Sequence, residues 1–303
     1  MQTTSNILMI RPVAFGYNAE TAVNNAFQQQ TEQNGVQLKA LQEFDNFVEI
    51  LRSNGINVII EEDTPNPHTP DSIFPNNWVS FHTNGTVVLY PMFAVNRRLE
   101  RRTDIIEKLK KQYSITNLVD FSHYESENKF LEGTGSMVLD RENHIAYACL
   151  SPRTDKKLLE EFCTAINYKP AYFHAVDNYK NPIYHTNVMM CVADKYIIFC
   201  YETIADYNEK EVLNRWFSNT NKTIIPITLK QVNAFAGNML QVQNNNGDKF
   251  LVMSDSAYNS LTQEQIRIIE QFNPIIHAPI PTIETNGGGS VRCMLAEVHL
   301  PAL

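Results

Sequence analysis

Residues 136 to 173, SMVLDRENHIAYACLSPRTDKKLLEEFCTAINYKPAYF, form the stretch that decides the fold. Two short apolar runs, Ser136–Leu139 and Ile145–Cys149, flank a turn at Glu142-Asn143 and predict a β-hairpin. Apolar residues then recur at helical spacing from Asp155 to Ile166, and the run Ala171–Phe173 predicts a third strand. The stretch therefore predicts a unit made of two strands, a helix and a strand.

The same order of elements recurs three more times along the chain. Two of the hairpin turns carry the dipeptide Asn-Gly, at Asn84-Gly85 and Asn246-Gly247, which strongly favours a two-residue turn. The elements of these copies are, in order, Ile73–Phe81, Val87–Tyr90, Asn96–Lys111 and Ile115–Val119; Val188–Val192, Tyr196–Tyr201, Glu209–Phe217 and Ile224–Ile227; and Met239–Val242, Phe250–Met253, Thr262–Phe272 and Ile275–Ile280.

The N-terminal part supplies a fifth copy. It contains the apolar run Ile7–Val13, helical stretches at Ala22–Gln33 and Leu38–Arg52, and the run Val58–Ile60. Its missing strand is expected from the C-terminal run Cys293–Leu300, which would join one chain end to the other.

Units of about 50 residues at regular spacing are typical of propeller-like arrays, in which each unit buries its apolar face against its neighbours. The recurrence predicts an α/β propeller of five units that forms one domain over residues 1–303, with one pocket on the axis. Two unrelated α+β domains that meet near Asn178–Asn181 are the alternative.

The composition excludes several classes of protein. Apolar residues make up 43% of the chain, enough for a core, and 25 basic against 33 acidic side chains give a formal charge of −8. A nucleic-acid-binding face needs clustered Lys and Arg, and the one such cluster, Arg97–Arg102, contains Glu100 and is better explained by an amphipathic helix. The N-terminal apolar run, Ile7–Ile10, is too short for a signal core or a membrane span.

The cysteine spacing and the absence of several sequence motifs exclude further classes of site. Five scattered cysteines without CxxC spacing predict neither a disulfide framework nor a zinc site, so a reducing cytoplasm is expected. The chain has no phosphate-binding loop, no HExxH and no GxSxG motif. We therefore expect no cofactor and no metal.

One run places a cysteine four residues after three successive glycines in a glycine-poor chain: TNGGGSVRC, residues 285–293. Successive glycines let the backbone approach a ligand closely or adopt positive φ. A nucleophilic thiolate needs an electropositive setting, to which Arg292 is a candidate contributor. A flexible connector before a buried structural cysteine is the alternative, but the neighbouring glycines favour Cys293 as a nucleophile.

Three further runs interrupt the repeat pattern close to its hairpins. His185, after Asn181-Pro182, is a candidate proton shuttle or an ordinary buried polar residue. Glu132, in the run FLEGTG, either orients an imidazole and holds substrate N–H groups or caps a turn. The loop TPDSIFPNNW, residues 69–78, is rich in short polar side chains and is also explained by Asx capping.

Taken together and in this order, the runs resemble the guanidino-group-modifying superfamily. This superfamily includes arginine deiminases, dimethylarginine dimethylaminohydrolases and amidinotransferases, and its fold is the fivefold pseudosymmetric α/β propeller, or pentein. The resemblance covers essentially the whole chain. It is carried by Gly-Gly-Gly-x-x-x-Cys at Cys293, Glu-Gly-x-Gly at Glu132 and His-x-Asn at His185.

The resemblance implies a role for each matching residue. Cys293 would attack the central carbon of a guanidine or ureido group, His185 would act as general acid and base, and Glu132 would hold the substrate nitrogens. Arg153 is similar to an arginine that pairs with the substrate carboxylate, a task that suits its bidentate fork. Two further residues complete the comparison: Asp71 resembles a residue near the α-amino group, and Arg98, chosen over Arg97, resembles a second carboxylate-binding residue.

Two departures from the superfamily pattern bear on the substrate. The chain has Asn77 where guanidine hydrolases place an acid, and Asn187 where arginine deiminases have His-x-Asp. A buried guanidinium needs carboxylates, whereas amides suit a neutral group and can donate to a carbonyl oxygen. The resemblance and these departures together predict a hydrolase of the bacterial citrulline-utilisation branch, which converts citrulline into ornithine, carbon dioxide and ammonia.

Other functions remain open at this stage. An arginine deiminase, a dimethylarginine dimethylaminohydrolase or an amidinotransferase would use the same Cys293 on a charged substrate. A more distant alternative is a non-catalytic propeller, since the fold also serves as a ribosome-associated factor. The expected partner is a small amino-acid substrate, with neither nucleic acid nor membrane, and a homo-oligomer is left open.

Overall fold

The strands of the protein form five small sheets of three strands each within residues 1–31 and 34–303, which the computed structural model describes. In every sheet the middle strand pairs antiparallel with one neighbour and parallel with the other. This confirms a mixed α/β fold. Sheet by sheet, the strands are β1 (Asn6–Arg11), β2 (Asn57–Glu62) and β15 (Ala296–Glu297); β3 (Val79–Phe81), β4 (Thr86–Leu89) and β5 (Asn117–Asp120); β6 (Val138–Asp140), β7 (Ile145–Cys149) and β8 (Lys169–Phe173); β9 (Met190–Val192), β10 (Tyr196–Phe199) and β11 (Thr223–Pro226); and β12 (Leu240–Gln243), β13 (Lys249–Ser254) and β14 (Ile275–Ala278).

One helix in each unit connects the middle strand to the parallel strand. In the helix Lys156–Ile166, the Asp155 side chain accepts a hydrogen bond from the backbone N–H of Leu158, and one face buries the apolar side chains. None of the helices in the described ranges is long and apolar enough to cross a membrane. The five connecting helices are Val36–Ser53, Thr103–Leu109, Lys156–Ile166, Tyr207–Ser218 and Gln263–Glu270. The remaining α-helices are Ala19–Ala22, Gly133–Ser136, Leu229–Val232, Asp255–Ser260 and Pro281–Gly287, and the 3-10 helices are Pro75–Asn77, Asn96–Glu100, Ser122–Glu127, Thr186–Val188, Tyr201–Thr203 and Val291–Met294.

The two chain ends share a sheet, as the sequence predicted. Strand β15 pairs antiparallel with β1, with Ile7 opposite Glu297 and Leu8 opposite Ala296, and β1 pairs parallel with β2. The C-terminal strand therefore takes the place that a hairpin strand takes in the other four sheets.

Two predicted elements are wrong in the structure, and the single helix predicted at Asn96–Lys111 is divided into the 3-10 helix Asn96–Glu100 and the helix Thr103–Leu109, because the backbone of Arg101 and Arg102 is extended. The helix expected at Ala22–Gln33 is absent from residues 23–31, because Asn25 Oδ1 accepts from the backbone N–H of Phe27 and competes with helix formation; its last two residues lie outside the described part. The strand expected at Ile73–Phe81 is present only as β3, because Pro75 has no N–H to donate and begins a 3-10 helix instead.

The segments that come just before the first strands of the units converge. Gly133–Ser136 contacts both Pro75–Asn77 and Thr186–Val188, and Pro75–Asn77 also contacts Val291–Met294. Glycine permits this approach, since a Cβ on Gly133 would lie 2.3 Å from the backbone oxygen of Asn76. The candidate site residues lie in or beside these segments.

Candidate active site

The sulfur of Cys293 is held between two side-chain amides. Cys293 lies in the 3-10 helix Val291–Met294 and is 3% exposed. Asn187 Nδ2 donates to its Sγ at 3.4 Å and Asn238 Nδ2 donates at 3.2 Å. Arg292, considered a contributor to the electropositive setting, instead pairs with Glu297 at 2.6 Å. The groups that donate to the sulfur are therefore neutral amides.

The other four cysteines are buried among groups that do not activate them. All five cysteines carry free thiols. Burial raises the pKa of Cys149, Cys163 and Cys191 to about 12 and that of Cys200 to about 11. These thiols are protonated at neutral pH and have little nucleophilic character.

His185 and Glu132 form a buried, hydrogen-bonded pair in which only Glu132 is charged at neutral pH. Glu132 Oε2 accepts from His185 Nε2 at 2.7 Å. Burial lowers the pKa of His185 to about 4 although Glu132 opposes the shift, so the imidazole is neutral at neutral pH. Burial also acts to raise the pKa of Glu132, but the charge of Arg153, the hydrogen bond from His185 and the charge of Arg97 outweigh it and hold this pKa below its usual range. An imidazolium formed during a reaction would at once have an anionic partner.

The amide of Asn77 has a fixed orientation. Arg97 Nη1 donates to Asn77 Oδ1 at 2.8 Å, and because a guanidinium has no acceptor, the oxygen must face Arg97. The nitrogen, Asn77 Nδ2, is buried and has no hydrogen-bond partner among the described residues. It is an unused donor.

Asn187 presents the complementary group. Its Nδ2 faces Cys293, while its Oδ1 is buried and accepts no hydrogen bond within residues 1–31 and 34–303. An unpaired buried polar atom costs about 1–3 kcal/mol, so a ligand that satisfies it gains that much. Asn77, which lines the same cavity as Cys293, and Asn187, which contacts its sulfur, together offer one unused donor and one unused acceptor.

Arg153 is fully buried between two aromatic rings. Its guanidinium lies 5.8 Å from the ring centre of Phe93 and 5.0 Å from that of Tyr184. It donates to the backbone oxygen of Thr21 and to Asn24 Oδ1, both at 2.8 Å. Both acceptors are neutral and therefore weaker than a carboxylate, while Nη1 makes a longer contact with the Glu132 carboxylate, at 3.4 Å.

Asp71 has one free oxygen. Its Oδ2 accepts from Asn18 Nδ2 at 2.7 Å and from Thr21 Oγ1 at 3.1 Å, while Oδ1 is buried without a partner in the described structure. Burial raises the pKa of Asp71, although the charge of Arg97 opposes the shift. A bound cation would restore the charged form.

Five of the predicted residues line one small cavity: Asp71, Asn77, Arg153, His185 and Cys293. Glu132 and Asn187 are linked to this cavity by the hydrogen bonds described above. The glycine run forms part of its wall, where a Cβ on Gly287 or Gly289 would lie within 2.9 Å of the Phe74 ring. The structure thus brings together seven of the eight predicted site residues.

Arg98 is the exception, and the choice of Arg98 over Arg97 is corrected by its position. Successive residues of a 3-10 helix are about a third of a turn apart, so two neighbours cannot face the same side. Arg98 lies over the Phe130 ring and donates to the backbone oxygen of Met92. Arg97 lines the cavity instead, and it holds Asn77 while pairing with Glu100 at 2.9 Å.

We expect Arg97→Lys to lower kcat/KM by about tenfold or more, because an ammonium cannot hold both Glu100 and the Asn77 amide as the planar fork does. Arg98→Lys is the matched control and should change kcat/KM less than about twofold, since half-buried Arg98 does not line the cavity. Steady-state kinetics and thermal melts of both variants measure this. A larger loss in Arg98→Lys than in Arg97→Lys would contradict the assignment.

Sequence reasoning missed Asn238. The signal was present: Gly237-Asn238 stands two residues before β12 as Asn77 stands two residues before β3. The described residues contain no group of three His, Cys, Asp or Glu side chains that could hold a metal ion.

A model of the eukaryotic N,N dimethylarginine dimethylhydrolase family matches residues 11–300. The chain belongs to this family. It is therefore a member of the guanidino-group-modifying superfamily, as the sequence predicted, and of a family of hydrolases that act on carbon–nitrogen bonds outside peptides. No curated protein sequence matches the chain.

Solved structures agree with the family fold. The substrate-bound N-terminal domain of ArgZ, an arginine dihydrolase from the ornithine-ammonia cycle in Cyanobacteria, superposes with a TM-score of 0.76 at 16% identity, over 98% of this chain and 99% of that one. Full-length ArgZ gives 0.75 at 16% identity, and the chain spans only 41% of its length. A dimethylarginine dimethylaminohydrolase with an S-methyl-L-thiocitrulline adduct gives 0.61 at 14% identity, over 98% of this chain and all of that one. At these identities the likeness concerns the fold.

Proposed function

We propose that the protein hydrolyses citrulline to ornithine, carbon dioxide and ammonia, as a member of the citrulline-utilisation branch. The observation that carries this proposal is the pair of unused amide atoms beside Cys293, the Nδ2 donor of Asn77 and the Oδ1 acceptor of Asn187. A neutral ureido group offers a carbonyl oxygen to the first and an N–H to the second. A guanidinium offers only donors, so it would leave the Asn77 donor unsatisfied.

The reaction proceeds in two stages. His185 first takes the proton of the Cys293 thiol, and the resulting thiolate attacks the ureido carbon. The bond from that carbon to the side-chain nitrogen then breaks, and the His185 imidazolium gives its proton to the ornithine that leaves. The product on the enzyme is an S-carbamoyl cysteine. Neutral His185 then takes a proton from water, whose oxygen attacks the carbamoyl carbon and releases the thiolate. The carbamate formed decomposes to carbon dioxide and ammonia, so one water is consumed overall.

Glu132, Arg153 and Asp71 hold the reacting molecule and the proton shuttle. Glu132 stabilises the imidazolium form of His185 and accepts from substrate N–H groups. Arg153 binds the substrate carboxylate, which replaces the neutral acceptors of Thr21 and Asn24. Asp71 binds the α-ammonium through Oδ1, its free oxygen. We assign no role in substrate binding to Arg98.

The symmetry of the fold, the extent of the domain and the cellular compartment are part of the same proposal. The five units are arranged about one pseudo-fivefold axis, with residues 1–303 as a single catalytic domain and Cys293 on the axis. A free nucleophilic thiol suits a reducing cytoplasm. The partner is the small amino-acid substrate, no cofactor takes part, and a homo-oligomer remains open.

A second candidate is hydrolysis of a guanidino substrate, arginine or a methylated arginine. Two observations favour it: the family model is that of dimethylarginine hydrolases, and ArgZ is an arginine dihydrolase. Charged Glu132, which contacts the cavity residues His185 and Arg153, is an acidic group that a guanidinium can pair with. The two amides favour the ureido substrate over this candidate.

Incubation with citrulline, arginine and dimethylarginine in separate reactions tests the proposal. Ornithine and ammonia are expected from citrulline, with kcat/KM at least about a hundredfold above that for arginine, because the site pairs the ureido oxygen. Citrulline formed from arginine, without ornithine from citrulline, would instead establish a deiminase.

A further inference from the structure

Asn238 is buried beside the nucleophile but lies outside the set that the sequence assigned to the site. It is 0% exposed and its Nδ2 lies 3.2 Å from Cys293 Sγ, closer than the Nδ2 of Asn187. It lies just before β12, the first strand of the unit that contains β12, β13 and β14, and no site residue was predicted in that unit.

The orientation of this amide is fixed by a backbone contact. The backbone N–H of Arg292 donates to Asn238 Oδ1 at 3.0 Å, and a backbone N–H cannot accept. The NH2 group therefore faces Cys293. Its second contact is to the backbone oxygen of Asn187, at 3.2 Å. Each polar atom of the Asn238 side chain thus has a protein partner.

Close packing of the segment before β12 against the segment before β9 keeps the amide in place. A Cβ on Gly237 would lie 2.3 Å from the backbone oxygen of Val188, so only glycine allows the chain to run this close. Asn238 is thereby held at a fixed distance from the sulfur.

Asn187 and Asn238 differ in what they leave available. The Oδ1 of Asn187 has no partner in the described part of the chain, so Asn187 can serve the substrate as well as the sulfur. Asn238 has no atom to spare for a substrate. Its contact with the reacting atom is the Nδ2–Sγ hydrogen bond alone.

We propose that Asn238 is a further catalytic residue, whose amide donates to the Cys293 thiolate and stabilises it, since the donors that the described residues bring to the sulfur are neutral amides. A hydrogen bond to the charged form of a group favours that form. Because His185 is neutral at neutral pH, the thiolate depends on these neutral donors. The inference rests on the proposed nucleophilic role of Cys293.

The pH dependence of iodoacetamide alkylation at Cys293, read by peptide mass spectrometry, tests the inference without substrate. In Asn238→Ala and Asn238→Asp the midpoint of the alkylation profile should move up by at least about one pH unit, and alkylation at pH 7 should slow by about tenfold. Asn238→Ser keeps a smaller donor and should lie between. Asn246→Asp, at the exposed hairpin tip of the same unit, is the control and should match the wild type.

The outcomes separate this inference from the proposed function. If wild-type Cys293 reacts no faster than the other four cysteines, the assignment of Cys293 as the nucleophile is wrong. If wild-type Cys293 is activated but the folded Asn238 variants keep its profile, the role of Asn238 is wrong. Support comes from a shifted profile together with a lower kcat and a KM for citrulline within about twofold of wild type, because Asn238 does not touch substrate.

Discussion

Replacing Cys293 by serine lowers citrulline turnover by at least about a thousandfold, because the nucleophile is lost while the rest of the site remains. An alcohol is far less acidic than a thiol, and the neutral imidazole of His185, with a pKa of about 4, is too weak a base to ionise it. Release of ornithine and ammonia from citrulline measures the loss. Full turnover in Cys293→Ser would overturn the covalent mechanism.

Cys163→Ser is the matched control for this loss. Cys163 is 2% exposed in the helix Lys156–Ile166, and burial raises the pKa of its thiol to about 12. It is as buried as Cys293 but has no part in the cavity, so the variant should keep its turnover. Equal losses in the two variants would indicate a general effect on folding. Circular dichroism melts of both variants separate that effect from chemistry.

The local signals in the sequence were sufficient for the order of elements and for most of the site. Period-2 and period-3.6 runs separated by Asn-Gly turns identify hairpins and helices because each depends only on nearby residues. The placement of the run Cys293–Leu300 beside β1 followed from counting the strands of each unit. Cys293, His185 and Glu132 were identified because the runs that contain them interrupt these patterns.

The errors concern features that depend on contacts far along the chain. Whether Arg97 or Arg98 faces inward depends on a 3-10 helix whose phase is set by Glu100 and Asn77, 20 residues away from Arg97. The loss of helix over residues 23–31 has, besides the local contact of Asn25 with Phe27, a distant contribution: Asn25 Nδ2 donates to the backbone oxygen of Gly288 at 3.2 Å. Local propensity contains neither contact.

The second large effect is a change of substrate on replacing Asn77 by aspartate. The carboxylate has no N–H for the ureido oxygen and would place a second acceptor where the substrate also has one, so citrulline binding is lost. A guanidinium, which has only donors, would gain a partner. We expect the ratio of kcat/KM for citrulline to that for arginine to fall by at least about a hundredfold.

Two further variants identify the cause of that change. Asn77→Ala removes the donor without adding charge, so it should lose citrulline turnover but gain no arginine turnover. Asn84→Asp adds the same charge at the exposed hairpin tip of the same unit and should leave the ratio unchanged. Adding Asn187→Asp to Asn77→Asp should lower turnover of every substrate, since the second carboxylate replaces a donor 3.4 Å from Cys293 Sγ and repels the thiolate. If the ratio of kcat/KM for citrulline to that for arginine is unaltered in Asn77→Asp, the Asn77 amide does not distinguish the two substrates. The preference for a ureido group would then have to arise elsewhere in the cavity.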